Sequence, residues 1–297
     1  VISAATTAAR PGTAPLVAQL RDIVLLSKPR LSTLVMITCG GGLWLAPGGI
    51  SAARAVLAVL TTAAVVGAAN ALNCYLERDV DARMRRTRDR PLPAGRLDPL
   101  VALGLGLAVP AFAVPLLALS ANRLTAVLAL VALLTYVVVY TPMKQRSTLA
   151  LLVGAIPGAI PPLMGWTTVT GRLDAGGLSL FAVLCAWQLP HFLAVSLYLC
   201  EDYARGGLRV FALVHGERRT RLAIAASTVV LVAASFLPWA AGVVRPWYAL
   251  AAAALGLPLL AHALLGLRGL GGRWARTFFL ATLVYLTALF AALALAR

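Results

Sequence analysis

From Ala55 to Asp81 the chain reads AVLAVLTTAAVVGAANALNCYLERDVD, and the two halves of that stretch decide the fold. No charged side chain falls between Arg54 and Glu77, a run close to the roughly 20 residues a helix needs to cross the hydrocarbon core. Carboxylates then follow at Glu77, Asp79 and Asp81, so the apolar run stops at a charged boundary. Comparable runs recur at residues 31–50, 53–76, 99–119, 123–141, 148–168, 178–200, 221–243, 246–266 and 275–296. Of the 297 residues, 61% are hydrophobic and 12% charged, against about 25% charged in a soluble domain. These runs predict an all-α polytopic membrane protein of about nine transmembrane helices.

The net charge of +16 does not point to nucleic acid, because the basic residues sit in short loops between apolar runs instead of on one accessible face. Topology accounts for them. With the N-terminus inside, about 21 of the 26 Lys and Arg residues fall in the first segment and in alternate loops, the bias expected of cytoplasmic segments. Residues 1–30, rich in Ala and Thr and without a signal-peptide core, read as a cytoplasmic tail, and 31–297 as a single transmembrane domain. With no organelle presequence visible, a bacterial inner membrane is the expected location. Gly154, Pro157, Gly158, Pro161 and Pro162 predict a kinked fifth span. The four cysteines show no CxxC pairing or nearby His and read as packing residues.

Nine of the ten acidic residues, all but Asp174, fall on the basic side, and most cluster after the second and sixth spans. In the first cluster Asn73, Glu77 and Asp81 are four residues apart and share one helix face. Two carboxylates and an amide pointing one way at a membrane boundary suit a hard cation such as Mg2+ facing a phosphate. The following loop, from Arg83 through Arg88 and Arg90 to Arg96, is dense in guanidinium forks that bind phosphate oxygens and is stiffened by Pro91 and Pro93. Lys144 and Arg146, between the fourth and fifth spans, are placed to close over an anion.

The second cluster runs from Trp187-Gln188-Leu189-Pro190-His191-Phe192 to Glu201-Asp202-Tyr203. His191, Tyr198 and Asp202 have a spacing that predicts one shared helical face, and a histidine inside a span is a functional candidate by default. Two acid-bearing helix ends facing each other under basic loops predict ionisation of an allylic diphosphate, with metal and Arg/Lys stabilising the leaving group. Alternatives are a prenyltransferase acting on an aromatic quinone precursor and, from another class, an ion- or solute-binding transporter. The latter would bind near the midplane with matched broken helices in each half.

These segments, with Thr87-Arg-Asp-Arg-Pro-Leu-Pro-Ala-Gly-Arg96 and Tyr140-Thr-Pro-Met-Lys-Gln-Arg146, resemble the intramembrane aromatic prenyltransferase superfamily, and within it the branch that farnesylates protohaem. The resemblance covers nearly the whole chain. It implies helices around a central cavity opening near the cytoplasmic face, Mg2+ dependence, farnesyl diphosphate as donor and the vinyl group of haem b as acceptor. It also implies one or two Mg2+ ions, Asn73, Glu77 and Asp81 holding the first and Glu201 and Asp202 the second. Arg88, Arg90, Lys144 and Arg146 would then meet the diphosphate, with Tyr198 and Tyr203 as further substrate contacts. His191 falls on the haem side and counts with Asn73, Glu77 and Asp81 as catalytic. Membrane lipid is the solvent, and a haem A synthase or terminal-oxidase assembly is the downstream partner implied. The chain departs from the superfamily pattern at Glu77, where aspartate is commoner, and near Tyr198, where quinone-type members carry a further aspartate.

Overall fold

The computed structural model describes residues 15–269 and 271–297. Helix α1 (Leu16–Leu26) meets α2 (Pro29–Leu45) at a 52° bend, followed by α3 (Ala52–Asp81) and α4 (Pro99–Ser120). Helix α5 (Arg123–Leu134) passes directly into a π-helical turn, Thr135–Tyr140. Then come α6 (Ala150–Thr170), α7 (Ala175–Tyr198), the short α8 (Cys200–Gly206), α9 (Phe211–Ala234), α10 (Trp247–Leu265) and α11 (Gly271–Leu295). Among the described residues eight helices are long and apolar enough to cross a membrane, or nine if the bent α1–α2 pair is one span. The segment read from the sequence as a tail is therefore helical over Leu16–Leu26, because it buries Leu26 and ties Asp22 to Arg96 at 3.1 Å. Residues 1–14 of that segment lie outside the described residues.

Polar residues set the helix starts. Ser51, Asn122 and Asp174 each accept a hydrogen bond from a first-turn backbone N–H, satisfying a donor the helix leaves unpaired. The prolines of α6 do not break it: the helix is continuous through Pro157, Pro161 and Pro162. Its close neighbour is α2, where a Cβ placed on Gly165 would lie 1.9 Å from the Cys39 carbonyl oxygen. Only glycine lets those backbones touch, the small-residue contact typical of membrane helices.

The two largest apolar cores lie among α3, α4, α5 and α6, and among α7, α9, α10 and α11 with Ala159 and Trp166 of α6 and Leu45 at the end of α2. Large apolar side chains such as Phe112, Leu119, Leu250 and Val284 are exposed on the outside, as a lipid-facing surface requires. A smaller cluster of Val80, Met84 and Leu208 packs the end of α3 against the loop after α8. It clamps the two acid-bearing regions together at one end of the bundle.

Candidate active site

Helix α3 carries Asn73, Glu77 and Asp81 on one face, 0%, 5% and 2% exposed. Buried oxygens of this kind demand partners, and each has a cation. Lys28 donates to Asn73 Oδ1 at 2.5 Å, Lys144 donates to Glu77 Oε1 and Oε2 at 2.9 and 3.2 Å, and Arg90 donates to Asp81 Oδ2 at 2.7 Å. The amide orientation of Asn73 follows from counting donors. Thr141 gives its single hydroxyl hydrogen to the Tyr136 carbonyl, so it accepts from Asn73 Nδ2 at 3.1 Å and leaves Oδ1 for Lys28. Burial works against the charge of Lys144, but Tyr140 and Glu77 beside it outweigh that and hold its pKa above the ordinary lysine value. Its ammonium also lies 4.8 Å from the centre of the Tyr140 ring.

The local backbone explains how these groups arrive. Lys28 is the one non-glycine with positive φ among the described residues, at 51°, and Pro29 behind it starts α2. That turn swings the lysine inward. The π-helical turn places Tyr136 and Tyr140 in a stacked pair 5.4 Å apart, and Lys144 caps the short helical segment Thr141–Met143 that follows. Asp202, from α8, faces the same end: it accepts from the Arg85 backbone N–H at 2.7 Å, while Arg86 Nε lies 3.6 Å from its Oδ2. At that separation Arg86 makes an ion pair and no hydrogen bond, so Asp202 Oδ2 is buried and unpartnered. Arg86, Tyr140, Lys144, Ser196, Tyr203 and Arg209 line a cavity of about 120 Å³ between these parts.

The sequence-predicted residues divide. Asn73, Glu77, Asp81, Arg90 and Lys144 form one network, with Asp202 and the half-buried Tyr203 beside the cavity. Arg88 is exposed and pairs with Asp89, Arg146 is exposed, and Glu201 points to solvent opposite Arg205. The predicted common face of His191, Tyr198 and Asp202 forms only in part: His191 and Tyr198, both on α7, pack on the Phe279 ring, but the helix breaks at Leu199, between α7 and α8, and Asp202 lies beyond the break. Tyr198 is 41% exposed, with Arg276 over its ring, whereas His191 is buried between α7 and α11. Its Nδ1 lies 2.8 Å from Thr282 Oγ1, and Thr282 already donates to the Phe279 carbonyl. The imidazole must therefore donate through Nδ1, which leaves Nε2 with a free lone pair. Trp187 stacks on the ring at 4.4 Å and fixes its plane.

Two residues escaped the sequence reading. Lys28 was counted only as tail charge, although a lysine directly before a proline that opens an apolar run marks a helix entry. Arg86 was one arginine among many, and only folding singles it out.

The donor types fit a hard cation: the oxygens of Asn73, Glu77 and Asp81 on one face, and the orphaned Oδ2 of Asp202 at the same end of the bundle. Among the described residues no three His, Cys, Asp or Glu side chains converge as a complete cage.

The profile of the UbiA prenyltransferase family matches residues 34–295. The chain belongs to the UbiA prenyltransferase family. It is 71% identical over 296 residues, 100% of both chains, to a protein of Anaeromyxobacter dehalogenans (strain 2CP-C) named protoheme IX farnesyltransferase. A protein of the same name from Myxococcus xanthus (strain DK1622) is 51% identical, covering 97% of this chain and 98% of that one. Among solved UbiA-type folds, a digeranylgeranylglyceryl phosphate synthase superposes with a TM-score of 0.80 at 15% identity, covering 94% of this chain and 98% of that one. A UbiA homologue from Archaeoglobus fulgidus, solved bound to DMAPP and Mg2+, gives 0.62 at 15% identity over 92% of this chain and 99% of that one. At those identities the likeness concerns the UbiA fold.

Proposed function

We propose that this chain transfers the farnesyl group of farnesyl diphosphate to the vinyl group of protohaem IX (haem b), with the hydroxyl of a water molecule adding to the same double bond and its proton released, giving haem O and diphosphate. The observation that carries the reading is the α3 face of Asn73, Glu77 and Asp81, buried and held by cations, in a chain whose full-length relatives bear the name protoheme IX farnesyltransferase. Asn73, Glu77 and Asp81, with Asp202 at the same end of the bundle, would hold Mg2+, which would supply positive charge to the leaving diphosphate. Lys144, Arg90 and Arg86 add fixed positive charge around the same oxygens, as a developing anion requires.

An apolar groove of about 600 Å³, walled by Leu72, Leu107, Pro110, Leu133 and Val138, runs between α3, α4 and α5 to Thr141, whose hydroxyl holds Asn73. It suits the farnesyl tail, because it keeps fifteen apolar carbons out of water while the head sits at the α3 end. On the other side, His191 offers its Nε2 lone pair toward the acceptor, with Trp187 and Phe279 excluding water around it. Arg88 and Arg146, exposed at the rim, steer the diphosphate in from solution, Tyr198 packs on the outer side of Phe279, and Glu201 stands outside this core. The basic end faces the cytoplasm of a bacterial inner membrane, and a haem A synthase or terminal-oxidase assembly takes the product.

The test is mass spectrometry of haems extracted from membranes containing the chain, supplied with farnesyl diphosphate and Mg2+. A haem heavier by a farnesyl group plus water, absent with Asp81→Asn, is the expected result. No new haem from folded protein overturns the acceptor assignment, and hydroxybenzoate or naphthoate acceptors then become the substrates to assay.

A further inference from the structure

The chain holds only two lysines among its 26 basic residues, and both reach the same helix face. Lys28 comes from the α1–α2 turn and Lys144 from the loop after the π-helical turn, yet their ammonium groups end on Asn73 and Glu77, one turn apart on α3. Everywhere else the loops use arginine. The chemistry of the choice is informative. An ammonium is a compact point charge on a flexible stem that carries no fixed fork, so it can leave one oxygen for another without breaking a bidentate geometry. Lys144 already lines the cavity beside Arg86 and Arg209, so its charge has an anion-sized space within reach. The oxygens these lysines hold are those that would ligate Mg2+.

We propose that Lys28 and Lys144 are displaceable placeholders, which occupy the metal-ligating oxygens of Asn73 and Glu77 in the ligand-free chain and give them up when a diphosphate arrives to receive both ammonium groups. The inference rests on the Mg2+ and diphosphate reading above and deepens it. Its physical basis is charge balance. A buried carboxylate without a cation is costly, so Glu77 needs either Lys144 or the metal, and both together crowd like charges onto one face. A diphosphate resolves that conflict by taking the lysines as its own partners. Metal and diphosphate then bind as a coupled pair, each raising the affinity for the other by the same factor. The same exchange keeps Glu77 neutralised at every stage, so the empty site neither captures stray divalent cations nor leaves a bare charge in the bundle.

The experiment is equilibrium dialysis of the full chain in lipid nanodiscs against Mn2+, at matched free Mn2+, with and without inorganic pyrophosphate. In the wild type, pyrophosphate is expected to raise Mn2+ affinity by about tenfold or more. In Lys144→Met, Mn2+ alone should bind about tenfold more tightly, with the pyrophosphate gain shrinking to about threefold or less. Lys28→Met, which removes the other ammonium independently, should shift both quantities in the same direction. If neither variant binds Mn2+ alone more tightly than the wild type, while Glu77→Gln still loses Mn2+, the placeholder role is overturned and the metal site stands. Mn2+ binding that survives Glu77→Gln and Asp81→Asn together overturns the metal site itself and the placeholders with it.

Discussion

At the end of α3, Asn73, Glu77 and Asp81 stand on successive turns of one unbroken helix, all buried, each oxygen group held by a cation. Across the α7–α8 junction, Glu201 and Asp202 are neighbours in sequence but differ sharply in exposure. The Asp202 side chain is 12% exposed and held by the Arg85 backbone, whereas that of Glu201 is 91% exposed and pairs loosely with Arg205. Adjacent residues on a helix point about 100° apart, so one of an acidic pair must turn away, while residues four apart align. The two acidic regions are therefore not equivalent halves of a symmetrical site. One supplies a full face and the other a single carboxylate.

The most severe test of that asymmetry is Asp81→Asn, which keeps side-chain volume and a partner for Arg90 while removing the charge. Haem O formation should fall by about a thousandfold with the protein still monodisperse in detergent, the scale of losing a principal electrostatic stabiliser. A variant within tenfold of wild type would break the comparison at its stronger side. Asp202→Asn sharpens it at the weaker one: the expected loss is between about tenfold and a hundredfold, the range for residues that support a metal from further out. Equal losses at Asp81 and Asp202 would restore a symmetrical site. His191→Ala belongs to neither acidic region, and it should raise the KM for haem about tenfold while leaving the KM for farnesyl diphosphate unchanged, the signature of lost uniform binding to one substrate. Loss of both together would place His191 in the packing between α7 and α11.

The asymmetry also marks where sequence was a sufficient guide. The apolar runs, the α3 face and the basic end of the bundle were legible, since each depends only on spacing along one continuous element. Asn73, Glu77 and Asp81 needed nothing more than a four-residue period. The common face drawn through His191, Tyr198 and Asp202 assumed the same continuity, and the break at Leu199 removed Asp202 from it while His191 and Tyr198 still share Phe279. Lys28 and Arg86 were hidden for another reason: their roles depend on a left-handed turn and on the Val80–Met84–Leu208 contact, which bring together segments far apart in sequence. Tertiary packing of that kind selects one arginine out of a basic loop, and composition cannot.

The smallest expected effect is the most discriminating, because it separates two neighbouring acids that sequence reasoning joined in one metal site. Glu201→Ala removes a carboxylate that sits in water, and an exposed pair with Arg205 contributes little to folding. Nothing in the buried network depends on it: Asp202 is anchored by the Arg85 backbone, and Glu77 and Asp81 have their own cations. Haem O formation should therefore stay within about twofold of wild type at saturating farnesyl diphosphate, as expected of a surface substitution away from any special feature. A loss as large as that of Asp202→Asn would mean that α8 rotates by about a quarter turn when the diphosphate binds, bringing Glu201 inward. In that case Arg205, freed from its partner, should become the residue whose loss next changes the KM for the donor, since the α8 turn would carry its guanidinium to the cavity rim.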